Sequence, residues 1–157
     1  MRVLVISDVH ANYTALQAVL KDAGQVDETW CLGDLVGYGP DPNAVVEEVR
    51  EIPNLTCMLG NHDVAVIGKM SFETLNGDAR RSLVHHEKVM TADNIDFLRS
   101  LPSDKKERGD ATLAHGSPRD PLWEYILNSL TARLNFDYFT TSWCFVGHSH
   151  IQCMFAL

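Results

Sequence analysis

The chain has 157 residues, 45% hydrophobic and 22% charged, with a formal net charge of -8. That length supports one domain with a real core, residues 1–157, and the composition excludes a disordered chain. An acidic balance without a basic stripe argues against extended nucleic-acid binding, and no apolar run approaches a membrane span. Val3 to Ile6 is too short for a signal peptide. Cys31, Cys57, Cys144 and Cys153 each sit in an apolar run with no C-x-x-C pair, which reads as reduced core cysteines in a cytoplasmic protein.

Arg2 to Ile6 is a β-branched apolar run that suits a buried strand, and it ends in Ser7-Asp8-Val9-His10-Ala11-Asn12. A helix follows, with Leu16, Val19 and Leu20 on one face, closing at Gly24. Thr29 to Leu32 reads as a second strand, ending in Gly33-Asp34-Leu35-Val36-Gly37-Tyr38-Gly39-Pro40. Asp41-Pro42 opens a second helix over Asn43 to Glu51 as cap and first-turn proline. The third strand, Leu55 to Leu59, leads into a loop, Gly60-Asn61-His62-Asp63, whose glycine permits a sharp turn.

Glu73 to Val89 and Ala92 to Leu101 carry apolar residues at helical spacing, and Pro102 ends the second. His85 and His86 are adjacent, so they point to different sides of the helix, one reason to read them as surface or core rather than ligands. Lys105 to Arg108 and Thr112 to Ala114 flank the turn dipeptide Gly109-Asp110. The second of these strands ends in His115-Gly116-Ser117-Pro118-Arg119-Asp120. Pro121 to Phe139 reads as helix or helical turns, Trp143 to Val146 as a strand ending in Gly147-His148-Ser149-His150, and Ile151 to Ala156 as a resumed strand.

Strands alternating with helices predict parallel βαβ units, whose ligands gather at the carboxyl ends of the strands. Asp8, His10, Asp34, Asn61, His115, His148 and His150 all stand at such ends. A lone D-x-H or G-D is commonly a solvated loop or turn. The recurrence of metal-ligand types at every junction, without a cysteine ligand, points instead to divalent ions. Mixed oxygen and imidazole donors suit Mn, Fe, Zn, Ni or Co, and there are too many for one tetrahedral zinc. Two ions roughly 3.5–4 Å apart are a recurrent device for phosphoester cleavage.

In this order, D-x-H (Asp8, His10), G-D (Asp34), G-N-H-D (Asn61, His62), H-G (His115) and G-H-S-H (His148, His150) resemble the calcineurin-like metallophosphoesterase superfamily. The surrounding text is most similar to its small bacterial and archaeal phosphodiesterase branch. The resemblance implies an αββα sandwich of two mixed sheets flanked by helices. It implies a first metal on Asp8, His10, Asp34 and His150, and a second on Asp34, Asn61, His115 and His148. Asp34 would bridge the ions, manganese being favoured, and a shared hydroxide would attack a small phosphate-containing substrate. His62 would be the general acid, and Arg119 a candidate phosphate contact.

Two departures from the family pattern stand out. The phosphoprotein-phosphatase branch has an acidic residue three positions after the bridging aspartate, followed by arginine. Here those positions are Gly37 and Tyr38, which speaks against a serine/threonine protein phosphatase and leaves His62 without its usual orienting group. Relatives also continue past G-H-x-H with further strands, so the expectation is a shortened second sheet. Either the chain is a shortened fragment, or the exposed edge of that sheet is covered by a second copy or a partner chain. A non-catalytic metal-binding scaffold on the same fold is the alternative from another class.

Overall fold

Along the first three strands, apolar side chains alternate between two faces, and both faces are covered. In the computed structural model, which describes residues 1–156, β1 (Val3–Ile6), β2 (Glu28–Cys31) and β3 (Leu55–Cys57) form a parallel sheet in that order. Leu4, Ile6, Cys31, Leu55 and Cys57 face a helical layer. It consists of α1 (Tyr13–Ala23), α2 (Pro42–Arg50), α3 (Asn61–Val66), α4 (Gly77–Val89) and α5 (Ala92–Ser100). Leu16, Val45, Val46, Val49, Leu83 and Leu98 fill the interface from that side.

The opposite face, with Val3, Val5, Trp30, Leu32 and Met58, packs on a second sheet. That sheet orders β4 (Lys106–Arg108), β5 (Ala111–Ala114) and β6 (Trp143–Val146), with β4 antiparallel to β5 and β5 parallel to β6. Ala111, Leu113 and Phe145 meet the first sheet, the Trp30 and Phe145 rings lying edge to face at 5.8 Å. Gly109 makes the predicted β4–β5 turn with φ +58. The short α6 (Ser129–Asn135) precedes β6. The result is an α/β protein with two small sheets and flanking helices. No helix among the described residues is long and apolar enough to cross a membrane.

Several expectations shift in detail. Asn61–Val66 is a helix rather than a loop, with Gly60 at its cap. Asp41 takes the cap position of α2 without a side-chain cap hydrogen bond. Val19 is 44% exposed and leaves the core face of α1 to Leu16 and Leu20. Helix within Pro121 to Phe139 is confined to Ser129–Asn135 and a 3-10 turn at Phe136–Tyr138. The Asp120 carboxylate accepts from the Leu122 and Trp123 amides at the one turn, over residues 121–123, that precedes α6 in this stretch.

Ile151 to Ala156 forms no strand: among the described residues no strand pairs with it, and the Ile151 backbone bonds the Ser149 hydroxyl instead. Its Ile151 and Met154 are exposed, as is Trp143 on β6. Cys31 and Cys57 are core residues as expected, whereas Cys144 is half-buried and Cys153 exposed. His85 faces solvent and His86 the interior. Leu157 of the predicted domain lies outside the described residues.

Leu83 is fully buried between α4 and the sheet. Leu83→Ala is expected to lower unfolding free energy by about 2–5 kcal/mol, read from a denaturant midpoint shift at unchanged slope.

Candidate metal centre

The carboxyl ends of β1, β2 and β3 meet those of β5 and β6, since both parallel stretches point the same way. The loops leaving them are cross-braced through the backbone. The Asp8 amide donates to the Gly33 carbonyl (3.0 Å), His10 to Asp34 (2.9 Å), and Gly147 to His115 (2.8 Å). Asp8, His10, Asp34, His148 and His150 all hold left-handed backbone, with φ from 50 to 64. Such a conformation costs an L-residue about 1–3 kcal/mol and persists only where surrounding contacts over-determine it. Gly60 serves by absence of bulk rather than by torsion. Its φ is -94, and a Cβ there would overlap Asp34 Oδ1.

Three groups of potential ligands result: Asp8, His10 and His150; His10, Asp34 and His62; Asp34, His115 and His148. His150 Nε2 lies 3.3 Å from Asp8 Oδ1 and 3.0 Å from His10 Nε2. Asp34 Oδ2 lies 3.7 Å from His10 Nε2 and 3.4 Å from His115 Nε2. Asn61 Oδ1 is 3.1 Å from His115 Nε2. Every predicted ligand is therefore in one assembly, with Asp34 shared.

Two features fit the assembly to metal. His10 Nδ1 and His115 Nδ1 donate to the Val36 and Leu32 carbonyls, both at 2.9 Å, which turns each Nε2 toward the carboxylates. His148 Nε2 is buried with no hydrogen-bond partner, an orphan that an ion would satisfy.

The charges are strongly coupled. Burial disfavours ionised Asp34, but His115, His62 and His10 outweigh it and hold the carboxyl down at about 2. Burial likewise opposes the His115 cation, yet Asp34 beside it raises that imidazole to about 9. For His10 and His148 burial wins and lowers both. Burial takes His62 to about 4 despite Asp34.

His62 donates its backbone amide to Asp34 Oδ1 (2.9 Å), and its buried Nδ1 has no partner. Gly37 sits directly against that nitrogen, and a Cβ at Gly37 would overlap it. The ring thus fills the space an orienting carboxylate would need. Instead the His10 and Tyr38 rings flank it, at 4.8 and 5.0 Å.

Arg119 is not brought into the assembly. Its guanidinium pairs with Glu124, whose other oxygen accepts from Ser117 Oγ (2.7 Å) and Asn135 Nδ2 (2.8 Å). Three contributors were not predicted. Asp63 is fully buried and accepts from the Val36 (3.1 Å) and Gly60 (3.0 Å) amides, tying the Asp34 loop to α3, with burial raising its carboxyl to about 7. An acidic residue three positions after the helix-capping glycine was a legible sign of that role. His86 clamps the loop after Asp34, accepting from the Gly37 amide (3.1 Å) and donating to the Gly39 carbonyl (2.9 Å). Tyr125 stacks on His148 at 3.9 Å, a contact that sequence spacing gives no sign of.

A ligating imidazole must be neutral, so an ion arriving at the Asp34–His115 side displaces the second His115 proton. Below about pH 9 the metal-free protein holds that proton, and uptake must release it. Affinity for Mn²⁺ is expected to rise by up to about tenfold per pH unit between roughly pH 7 and 9, then level off. Calorimetric titrations in buffers of different ionisation enthalpy check this. A pH-independent affinity with no proton release would contradict it.

The sequence profile described as calcineurin-like phosphoesterase matches residues 1–152. The crystal structure of a metallophosphoesterase from Sphaerobacter thermophilus is similar at 51% identity and a TM-score of 0.84, over 96% of this chain and 61% of that one. The uncharacterized protein MJ0912 of Methanocaldococcus jannaschii is 39% identical over 155 residues, 95% of this chain and 62% of that protein. A symmetrical bis(5'-nucleosyl)-tetraphosphatase of Serratia proteamaculans is 29% identical over 85% of this chain and 48% of its own length. The chain thus spans less than two thirds of each of these relatives. With the ordered motifs, the shared fold and the profile match in agreement, this chain belongs to the calcineurin-like phosphoesterase family.

Proposed function

We propose that residues 1–157 act as a phosphoesterase dependent on two divalent metal ions, cleaving phosphodiesters or small phosphate esters. The observation that carries this reading is the buried Asp34 carboxylate, whose Oδ2 lies 3.7 Å from His10 Nε2 on one side and 3.4 Å from His115 Nε2 on the other. Asp8, His10, Asp34 and His150 would hold one ion, and Asp34, Asn61, His115 and His148 the other. Manganese is the favoured member of a set that includes Fe, Zn, Ni and Co. Bound ions at such a centre supply Lewis-acid polarisation of the phosphoryl group and an activated water.

The protein's own part is positioning and proton transfer. Asp34 stays ionised across the physiological range, and the Nδ1 bonds of His10 and His115 fix which nitrogen each presents. His62 is the proton donor to the leaving oxygen. In the metal-free protein burial keeps it neutral, and the negative charge of a phosphoester acts in the opposite sense, toward the protonated form. The protein-phosphatase alternative is disfavoured by Gly37, which leaves no room for a supporting carboxylate beside His62. The non-catalytic alternative is disfavoured by the presence of His62 beside the shared aspartate.

Hydrolysis of bis(p-nitrophenyl) phosphate and of its monoester counterpart, with and without Mn²⁺, tests the reading. His62→Gln is expected to lower kcat about 10²–10⁴-fold with Mn²⁺ binding retained, and Asp34→Asn to lose metal binding. A folded chain that binds two ions and turns over neither ester would instead favour the non-catalytic scaffold.

A further inference from the structure

We propose that His86 is a positioning residue for His62, acting through the turn that it clamps after Asp34. This rests on the phosphoesterase reading and supplies the orienting group that the Gly37 position lacks. The buried Nδ1 of His62 makes no hydrogen bond. Packing sets the place of the ring instead. Gly37 lies against Nδ1, and the Tyr38 and His10 rings stand at 5.0 and 4.8 Å. Two of those three walls, Gly37 and Tyr38, are consecutive residues of one turn.

That turn is strained. Tyr38 has φ +58, a conformation that bulky residues avoid and that persists only where neighbours enforce it. Helix α4 does the enforcing. Ser82 and His86 stand four residues apart and so share one face of α4. The Tyr38 amide donates to Ser82 Oγ (2.7 Å), and the Gly37 amide donates to His86 Nδ1 (3.1 Å). His86 Nε2 donates to the Gly39 carbonyl (2.9 Å), so three successive residues of the turn are bonded to α4.

His86 is 1% exposed and belongs to none of the three ligand groups. An amide can only donate and a carbonyl only accept, so its two bonds fix a neutral ring with the proton on Nε2. Burial lowers its pKa, which favours that form. Leu83, three residues earlier and fully buried, seats the same stretch of helix on the core. The imidazole thus spans the turn from Gly37 to Gly39 and is itself rigidly placed. Without it the Gly37 amide and the Gly39 carbonyl lose these partners, the turn relaxes, and the His62 ring loses two of its walls. A misplacement of about 1 Å is enough to slow a reaction on the order of 10²-fold.

A proton donor matters most when the leaving oxygen is basic. The test therefore compares diphenyl phosphate, which expels phenolate, with bis(p-nitrophenyl) phosphate, which expels the much less basic p-nitrophenolate, on the Mn²⁺-loaded protein. His86→Ala is expected to lower kcat for the phenyl ester roughly tenfold more than for the nitrophenyl ester, with KM and Mn²⁺ affinity unchanged. His86→Gln, whose amide accepts and donates as the imidazole does, should restore most of the loss. In a His62→Gln background, His86→Ala should add less than about a twofold loss, because the group it positions is gone. Where His86→Ala does not fold, His86→Leu fills the space without either bond and carries the same expectation. Equal losses on the two esters, losses that multiply in the double variant, or weakened Mn²⁺ binding would overturn the proposal and leave the phosphoesterase reading intact. A wild type that hydrolyses neither ester would refute that reading itself, and this role with it.

Discussion

One carboxylate organises this molecule. Asp34 is 1% exposed, accepts the His62 amide at one oxygen, and presents the other between His10 and His115. A lone buried carboxylate would cost several kcal/mol and would protonate instead. Here the surrounding imidazoles reverse that outcome, and the same field that keeps Asp34 ionised makes His115 basic. The site is therefore held together by opposite charges on neighbouring buried groups.

Holding those charges at bonding distance requires backbone that ordinary strand ends do not supply. Five of the candidate ligands sit in left-handed conformations; amide-to-carbonyl bonds between neighbouring loops brace Asp8, His10 and Asp34, and the His148 amide donates to the Asp8 carboxylate. Gly60 and Gly147 provide close approach, to Asp34 and to Asp8 respectively, at positions where any Cβ would collide with a carboxylate. Asp63 joins the second loop to α3 through two amides. The apolar clusters on both faces of the first sheet anchor the strands from which all of these loops spring. Packing, strain and electrostatics are thus successive links of one chain: the rigid sandwich makes the strained loops tenable, and the strained loops make the charge cluster possible.

Tyr38 shows how a change at one position alters several properties at once. The Gly37-Tyr38 pair stands where protein phosphatases of this superfamily have an acidic residue and an arginine. Gly37 lets the His62 ring come close, and Tyr38 puts an aromatic edge against both His62 and His10. The acidic and basic side chains are replaced by a closely packed imidazole and an aromatic ring, with His86, Ser82 and Asn76 as the supports.

Much of this was legible in the chain. Short β-branched apolar runs, the helical spacing of Leu16 and Leu20, and metal-ligand residue types at each strand end are local signals, and local signals survive without knowledge of the fold. They sufficed for the βαβ order and the family. Tertiary structure alone decided the rest. The extended run at Ile151–Ala156 is no strand, because a strand is defined by its partner and not by its own residues. Residues 121–128 form no helix and only one turn, at 121–123, although the Asp120 carboxylate accepts from the Leu122 and Trp123 amides in the manner of a helix cap. The Glu124 pairing of Arg119 and the Tyr125 stack on His148 are contacts between residues whose spacing carries no periodicity. Sequence names the chemistry a side chain can perform, whereas the field that sets its charge comes from neighbours far away in the chain, and only folding brings those neighbours within a few ångströms.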